Sequence, residues 1–264
     1  MFNNMYGSCN ETLHPRPQRQ QQLYELYLQY DPDVIGLQEH HAESQGGKYG
    51  IDTLLLGAGY SVVKPSGVTG NNYVPIYYKA TKLTVIDCGF IRYNDGMNDA
   101  SKSVTWALFE SKNGERFCVA STHFWYKSAA EGGEPARLKD AEQMKNLLDS
   151  VHSQYNVPVI VGGDFNCNMS SEAYASITGG GYKNVISLAK NADTVRSYHT
   201  YPTYSLDLGI FVNPVFPTGD YSKSIDHIFV KGDGLDITTF DAVTDLYALL
   251  SSDHCPIYID VNVN

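Results

Sequence analysis

Two stretches limit what this chain can fold into: VPVIVGGDFN at 157–166 and DVIGLQE at 33–39. Each is apolar almost without interruption, then breaks into Asp, Asn or Glu. A strand with one face in water alternates apolar and polar residues, whereas a continuous apolar run needs cover on both faces. Both runs therefore read as buried strands, and each delivers a carboxylate at its end. Further β-segments are expected at 73–80, 83–93, 104–111, 116–126, 224–232 and 254–263, the last with clean alternation. Asn113-Gly114, between two of them, is the strongest hairpin signal in the chain.

Helices separate the strands. RPQRQQQLYELYLQY at 16–30 repeats Leu23, Leu26, Tyr27 and Tyr30 at helical spacing, with Pro15 and Pro17 suited to its first turn and Asp31-Pro32 to stop it. PARLKDAEQMKNLLDSVHS at 135–153 places Leu138, Ala141, Met144, Leu148 and Val151 on one face. A short helix is expected at 171–177, closed by Gly179-Gly180-Gly181. Hairpins mixed with helices make an α/β (α+β) protein with mixed or largely antiparallel sheets. No Pro-, Ser- or charge-rich divider interrupts the 264 residues, so a single domain over 1–264 is expected.

Charge and cysteine content exclude some classes. Only 19 Lys and Arg against a net charge of −10 argue against a sequence-blind basic groove for nucleic acid. A nuclease stays open, because bound cations can invert a local field. Five cysteines without CxxC spacing argue against a disulfide framework or a zinc knuckle. No apolar window is long enough to cross a membrane, and no signal-peptide core stands out. The Lys-poor, Tyr- and Asn-rich composition leans toward export, and a monomer is expected.

Five apolar runs end in, begin with or carry polar residues of one chemical kind: Glu39, His123, Asp164 with Asn166, Asp226, and Asp253 with His254. One such residue is commonplace, but the set has a shared use. Phosphoester hydrolysis needs a hard cation held by one or two carboxylates, a carboxylate to activate water, and donors for the charge that develops. A histidine cation aimed at phosphorus is effective when a buried Asp fixes its other nitrogen.

The strings DVIGLQE (33–39), STHFWY (121–126), GGDFNC (162–167), SIDHIFV (224–230) and SSDHCPI (251–257), in that order, resemble the endonuclease/exonuclease/phosphatase superfamily. The resemblance runs from Phe2-Asn3 to about Ile259, and GDFN followed about 90 residues later by SDH is its most specific part. It implies a two-sheet β-sandwich flanked by helices, four layers in α/β/β/α order, with the site at one end. It also implies a divalent-metal-dependent phosphoesterase using Mg²⁺ or Mn²⁺ and in-line attack of water on phosphorus.

By motif, Glu39 resembles the metal-ligating glutamate and Asp253 an acidic residue that can serve a metal. Asn3 resembles the asparagine ending the first strand, which helps position metal or phosphate. Asp164 resembles the carboxylate that activates the water, and Asn166 the neighbouring donor to phosphoryl oxygens. Asp226 and His254 resemble the Asp–His pair, and His123 the histidine that contacts the scissile phosphate. Only Met1 and Phe2 precede Asn3, so the first strand reads as truncated. A slip of one residue would put Asn4 in the role; Asn3 is the expectation because it directly follows the aromatic residue.

Several residues carry two readings. Arg137, in the first turn of the long helix, could reach a substrate phosphate or form a structural ion pair. His40 and His41 fit neither zinc-protease motif and are expected at the rim, while His227 is expected to pack in the core. Cys167 and Cys255 are read as packing neighbours of Asn166 and His254. Trp125, Tyr126, His199 and Tyr201 could stack on a substrate group or simply pack their own loops. The substrate expectation is a phosphoester. A deoxyribonuclease-like nuclease is the first alternative and a non-catalytic binding module the second.

Overall fold

The computed structural model describes residues 1–7, 15–41, 47–192 and 221–264, and the backbone of 203–205 and 210–212. Its elements in chain order begin with β1 (Phe2–Asn4), α1 (Arg16–Tyr30), β2 (Val34–Gln38), α2 (Ile51–Gly57), β3 (Tyr60–Val62) and β4 (Ile76–Lys79). There follow β5 (Leu83–Arg92), β6 (Ser103–Ser111), β7 (Arg116–His123), α3 (Gly133–Tyr155), β8 (Val159–Asp164) and α4 (Glu172–Gly179). The short strands β9 (Lys183–Asn184), β10 (Asn191–Ala192), β11 (Thr203–Ser205) and β12 (Ile210–Val212) precede β13 (Asp226–Lys231) and β14 (Leu235–Ala242). The chain closes with α5 (Leu246–Ser251) and β15 (Ile257–Val263).

One sheet runs β10-β14-β15-β1-β2-β4-β3 and the other β5-β6-β7-β8-β13-β9. Both are mixed: β1 lies parallel to β2 and antiparallel to β15, and β7 lies parallel to β8, which is antiparallel to β13. Between the sheets, Phe2, Ile76, Phe109, Ile160, Ile228 and Ile257 form the central core. Helix α3 covers the outer face of the second sheet through Ala141, Met144, Leu148 and Val151. Helices α1 and α2 cover the first sheet through Leu23, Leu26, Tyr27, Ile51 and Leu55. The four layers implied by the family resemblance are present, and both continuous apolar runs are central strands covered on both faces.

Two adjustments have local causes. The expected strand at 116–126 stops at His123, and the Phe124 amide then bonds back to the Asp164 carbonyl at 3.0 Å. Strand β14 escapes an alternation search because a bulge between Ile237 and Thr239 shifts its pairing with β15. Its buried Ile237 and Phe240 therefore lie three residues apart instead of two.

The inner strands owe their close approach to glycine. A Cβ on Gly36 of β2 would stand 2.6 Å from the Phe2 ring, and one on Gly162 of β8 would stand 2.4 Å from it. Phe2 thus lies between two strands that have no side chain at the contact, which brings β1, β2 and β8 together at the same end of the sandwich.

Candidate active site

Strand alternation decides which asparagine enters the cleft. Phe2 and Asn4 share the inter-sheet face of β1, and Asn3 points the other way. Asn4 Nδ2 donates to Glu39 Oε1 at 3.1 Å and to Asp164 Oδ2 at 3.0 Å. Asn3 Nδ2 instead donates to the Tyr27 hydroxyl of α1 at 2.8 Å. The expectation of Asn3 is therefore corrected to Asn4: Phe2 must fill the slot between Gly36 and Gly162, and that fixes the register. Asn4→Ala is expected to lower turnover by about 10–100-fold, whereas Asn3→Ala should cost about 1–3 kcal/mol of stability by stranding the Tyr27 hydroxyl. Equal activity losses in the two variants, after correction for folded fraction, would overturn the assignment.

Glu39 follows directly on β2 with φ at 53°, a left-handed conformation uncommon outside glycine. That turn swings its carboxylate back over the strand end, where Oε2 accepts the Gly7 amide at 2.9 Å. Asp253 stands near it. Burial, with a further contribution from the Glu39 charge, pushes the Asp253 carboxyl up to about 6. Its Oδ1 is buried with no hydrogen-bond partner. Mutually repelling carboxylates, one with an orphaned oxygen, suit a hard cation bound through oxygen.

Across the cleft, β8 and β13 pair in a register that sets Asp226 opposite Asp164. His254 lies beside both, with Nδ1 2.8 Å from Asp226 Oδ2 and Nε2 3.7 Å from Asp164 Oδ2. Burial alone would favour a neutral ring, but Asp226 and then Asp164 outweigh it and hold the imidazolium well above the ordinary histidine range. Asp164, Asp226 and His254 are close enough to ligate one ion. A ring held in its doubly protonated form has no lone pair to offer a cation.

Asp164 is 2% exposed. Its Oδ1 accepts the Asn166 amide at 2.8 Å, and burial pushes its carboxyl up to about 7. Asn166, with φ at 49°, donates Nδ2 to the Phe124 carbonyl at 3.0 Å and keeps a second N–H on the same nitrogen. His123 is set beside Asp164 by the parallel β7–β8 pairing, with Nε2 3.4 Å from Asp164 Oδ2. Burial and the Lys102 ammonium hold this ring neutral, well below the ordinary range. Lys102 was not anticipated. Its Nζ lies 2.7 Å from His123 Nε2, and no sequence signal distinguished it from a turn lysine before β6.

The second-tier residues divide. Arg137 turns its guanidinium onto the Lys127 carbonyl at 2.7 Å, the Trp125 carbonyl at 3.3 Å and Glu134 at 2.9 Å. It braces the 125–127 loop, so the ion-pair reading replaces the phosphate-contact reading. Trp125 is half-buried with its indole N–H lacking a partner, and Tyr126 is exposed beside it with ring centroids 5.1 Å apart. His199 and Tyr201 lie outside the described residues. His40 is not at the rim: it is buried, with Nε2 2.7 Å from Asp52 Oδ1, and the Tyr77 hydroxyl donates to the same oxygen. His41 remains half-exposed and packs edge-on against Tyr73. His227 faces the core, with Nε2 2.9 Å from the Cys167 carbonyl. Cys167 and Cys255 are buried thiols that burial pushes up to about 12, as their packing reading requires.

The sequence profile of the Endonuclease/Exonuclease/phosphatase family matches residues 4–254. The chain belongs to this family. Its members are metal-dependent hydrolases acting on phosphoester bonds. Nocturnin of Drosophila melanogaster is 27% identical over 262 residues, covering 89% of this chain and 39% of that protein. Phospholipase C of Staphylococcus aureus is 28% identical over 149 residues, covering 55% of this chain and 40% of that protein. The chain thus spans about two fifths of the length of the curated relatives it matches. Among solved structures, a mannosyl-6-phosphatase of Bacteroides thetaiotaomicron superposes with a TM-score of 0.78 at 17% identity, covering 99% of this chain and 98% of that one. At that identity the superposition establishes the shared fold of the family.

Proposed function

We propose that this chain hydrolyses phosphoester bonds by in-line attack of water on phosphorus, using a divalent cation, Mg²⁺ or Mn²⁺, held by Glu39 and Asp253. The observation that carries the reading is the facing pair of unlike groups, a buried Asp164 and an imidazolium on His254 fixed by Asp226. Environments that push two neighbouring groups apart in charge state allow one to take a proton while the other stabilises an anion. When bound, the cation would neutralise charge on a phosphoryl oxygen. Asp164 accepts the proton of the attacking water, and its orientation is kept by the Asn166 amide and Asn4 Nδ2. His254 donates to the oxyanion, and Asn166 offers its remaining N–H.

The substrate reading is a small phosphoester, supported by the net charge of −10, which disfavours a long polyanion. The similar proteins carry names that point to several substrates: a sugar phosphatase, a phospholipase C and nocturnin. A panel of sugar phosphates, phospholipid headgroup diesters and plasmid DNA, assayed with Mg²⁺ and with chelator, tests both parts. Chelator-sensitive turnover of the small esters is expected, with Glu39→Gln and His254→Ala each losing about 10²-fold or more. Full activity in either variant sinks its residue assignment. Plasmid nicking faster than small-ester turnover replaces the substrate class with a nuclease's.

A further inference from the structure

Lys102 is a buried cation beside His123 that has no part in the proposed reaction. It is 3% exposed, in the turn leading into β6. Its amide donates to the Asp99 carbonyl at 3.2 Å, and its carbonyl accepts the Tyr93 amide at 3.0 Å. The Asp99 side chain in turn accepts the Ser101 amide and hydroxyl, at 2.8 and 2.7 Å, so the segment that aims the side chain is braced. The ammonium ends 2.7 Å from His123 Nε2, under the ring of Tyr126, whose centroid is 5.2 Å away.

A buried ammonium needs an anion or several acceptors to replace its water. Among the described residues no carboxylate forms an ion pair with Lys102. Asp164 and Glu39 attract it through the cleft without touching it. An ammonium has three N–H donors, and a neutral imidazole nitrogen accepts only one. The partner set is therefore incomplete at a position beside the carboxylate assigned to the attacking water. A phosphoryl oxygen has the missing charge and the missing lone pairs.

We propose that Lys102 is a substrate-binding residue whose ammonium holds a non-bridging oxygen of the scissile phosphoryl group, with the His123 ring aiming it. The inference rests on the phosphoester reading and adds a fixed positive charge on the wall of the cleft formed by β6 and β7. Tyr126 covers the ammonium from solvent, which keeps water from competing with the phosphate.

The test compares the full chain with Lys102→Met and Lys102→Arg, titrating inorganic phosphate calorimetrically in saturating Mg²⁺ and measuring KM and kcat on the best small ester. Lys102→Met is expected to weaken phosphate binding about tenfold or more and to lower kcat/KM by about 10²–10³-fold. Mg²⁺ affinity without phosphate should not fall, because losing a positive charge that Glu39 feels favours the cation. Lys102→Arg should restore most of the phosphate affinity, because it keeps the charge. Undiminished phosphate binding by Lys102→Met overturns the proposal, and so does an Arg variant as impaired as Met, which marks a structural strut. If Lys102→Met does not fold, a crystal structure of the native chain with Mg²⁺ and phosphate decides. An oxygen within hydrogen-bond distance of Nζ supports the proposal; phosphate out of reach, or none in the cleft, overturns it. Lys102-dependent phosphate binding in a chain that turns over no phosphoester would leave the proposal standing and remove the functional reading.

Discussion

Asp164→Asn is expected to lower kcat/KM by about 10³-fold or more, the range of a lost general base with partial loss of the surrounding network. Stability should move the other way. Burial pushes this carboxyl up to about 7, so the folded state holds the proton more tightly than the unfolded chain does. A raised carboxylate destabilises the folded state progressively as pH rises from the unfolded value near 3.8 to about 7. The Asn variant lacks that penalty and is expected to melt at the same or a higher temperature at pH 8 without metal, a trade of activity for stability common at such sites. In the native enzyme only ionised Asp164 accepts the proton, so log kcat/KM should climb with unit slope on the acid side. It should level at or below about pH 7, since a bound cation favours the ionised form. Calorimetric melting and a pH–rate profile check both signs. An Asn variant with more than about a tenth of native activity would end the assignment of Asp164 as base.

Gly162→Val carries the second large effect, through the fold. The first added carbon would lie 2.4–2.7 Å from three atoms of the Phe2 ring, with Gly36 close on the ring's other edge and no room to retreat. Overpacking of this kind costs about 1–3 kcal/mol. The strain falls on β1, a strand of three residues, and Asn4 is its last. Activity should therefore drop further than the folded fraction does, because Asn4 loses its hold on Glu39 and Asp164. Adding Phe2→Ala should recover part of the melting temperature, a coupling expected of residues in contact. Strict additivity of the two substitutions, measured by denaturant unfolding, would contradict the packing account.

Much of this architecture could be read in the residues alone. The runs at 33–39 and 157–166 had to be covered on both faces because they lack alternation, and they became β2 and β8. The helical stripes at 16–30 and 135–153 had to lie on sheets because each has one apolar face. Short α2 and α5 were not visible because one or two turns give few repeats and no cap signal marked them, and β14 because its bulge breaks the alternation. Glu39, Asp164, Asn166, Asp226, Asp253 and His254 were legible because motif order and strand ends mark them. The structure brings those six together with His123.

What the sequence determined by itself was an α/β protein with mixed sheets and the chemical kinds of the groups at its strand ends, since both follow from local periodicity and residue type; the layering came with the family resemblance. Only tertiary structure decided that Asn4 and not Asn3 enters the cleft, that Arg137 braces a loop, and that Lys102 lies against His123. Each of those depends on contacts between residues far apart in the chain. The fit of Phe2 between Gly36 and Gly162 sets the face of β1, the carbonyls of Trp125 and Lys127 take up Arg137, and the β6–β7 pairing carries Lys102 to the site. Periodicity along one strand has no access to such contacts, because it records which side a residue lies on and not what stands opposite.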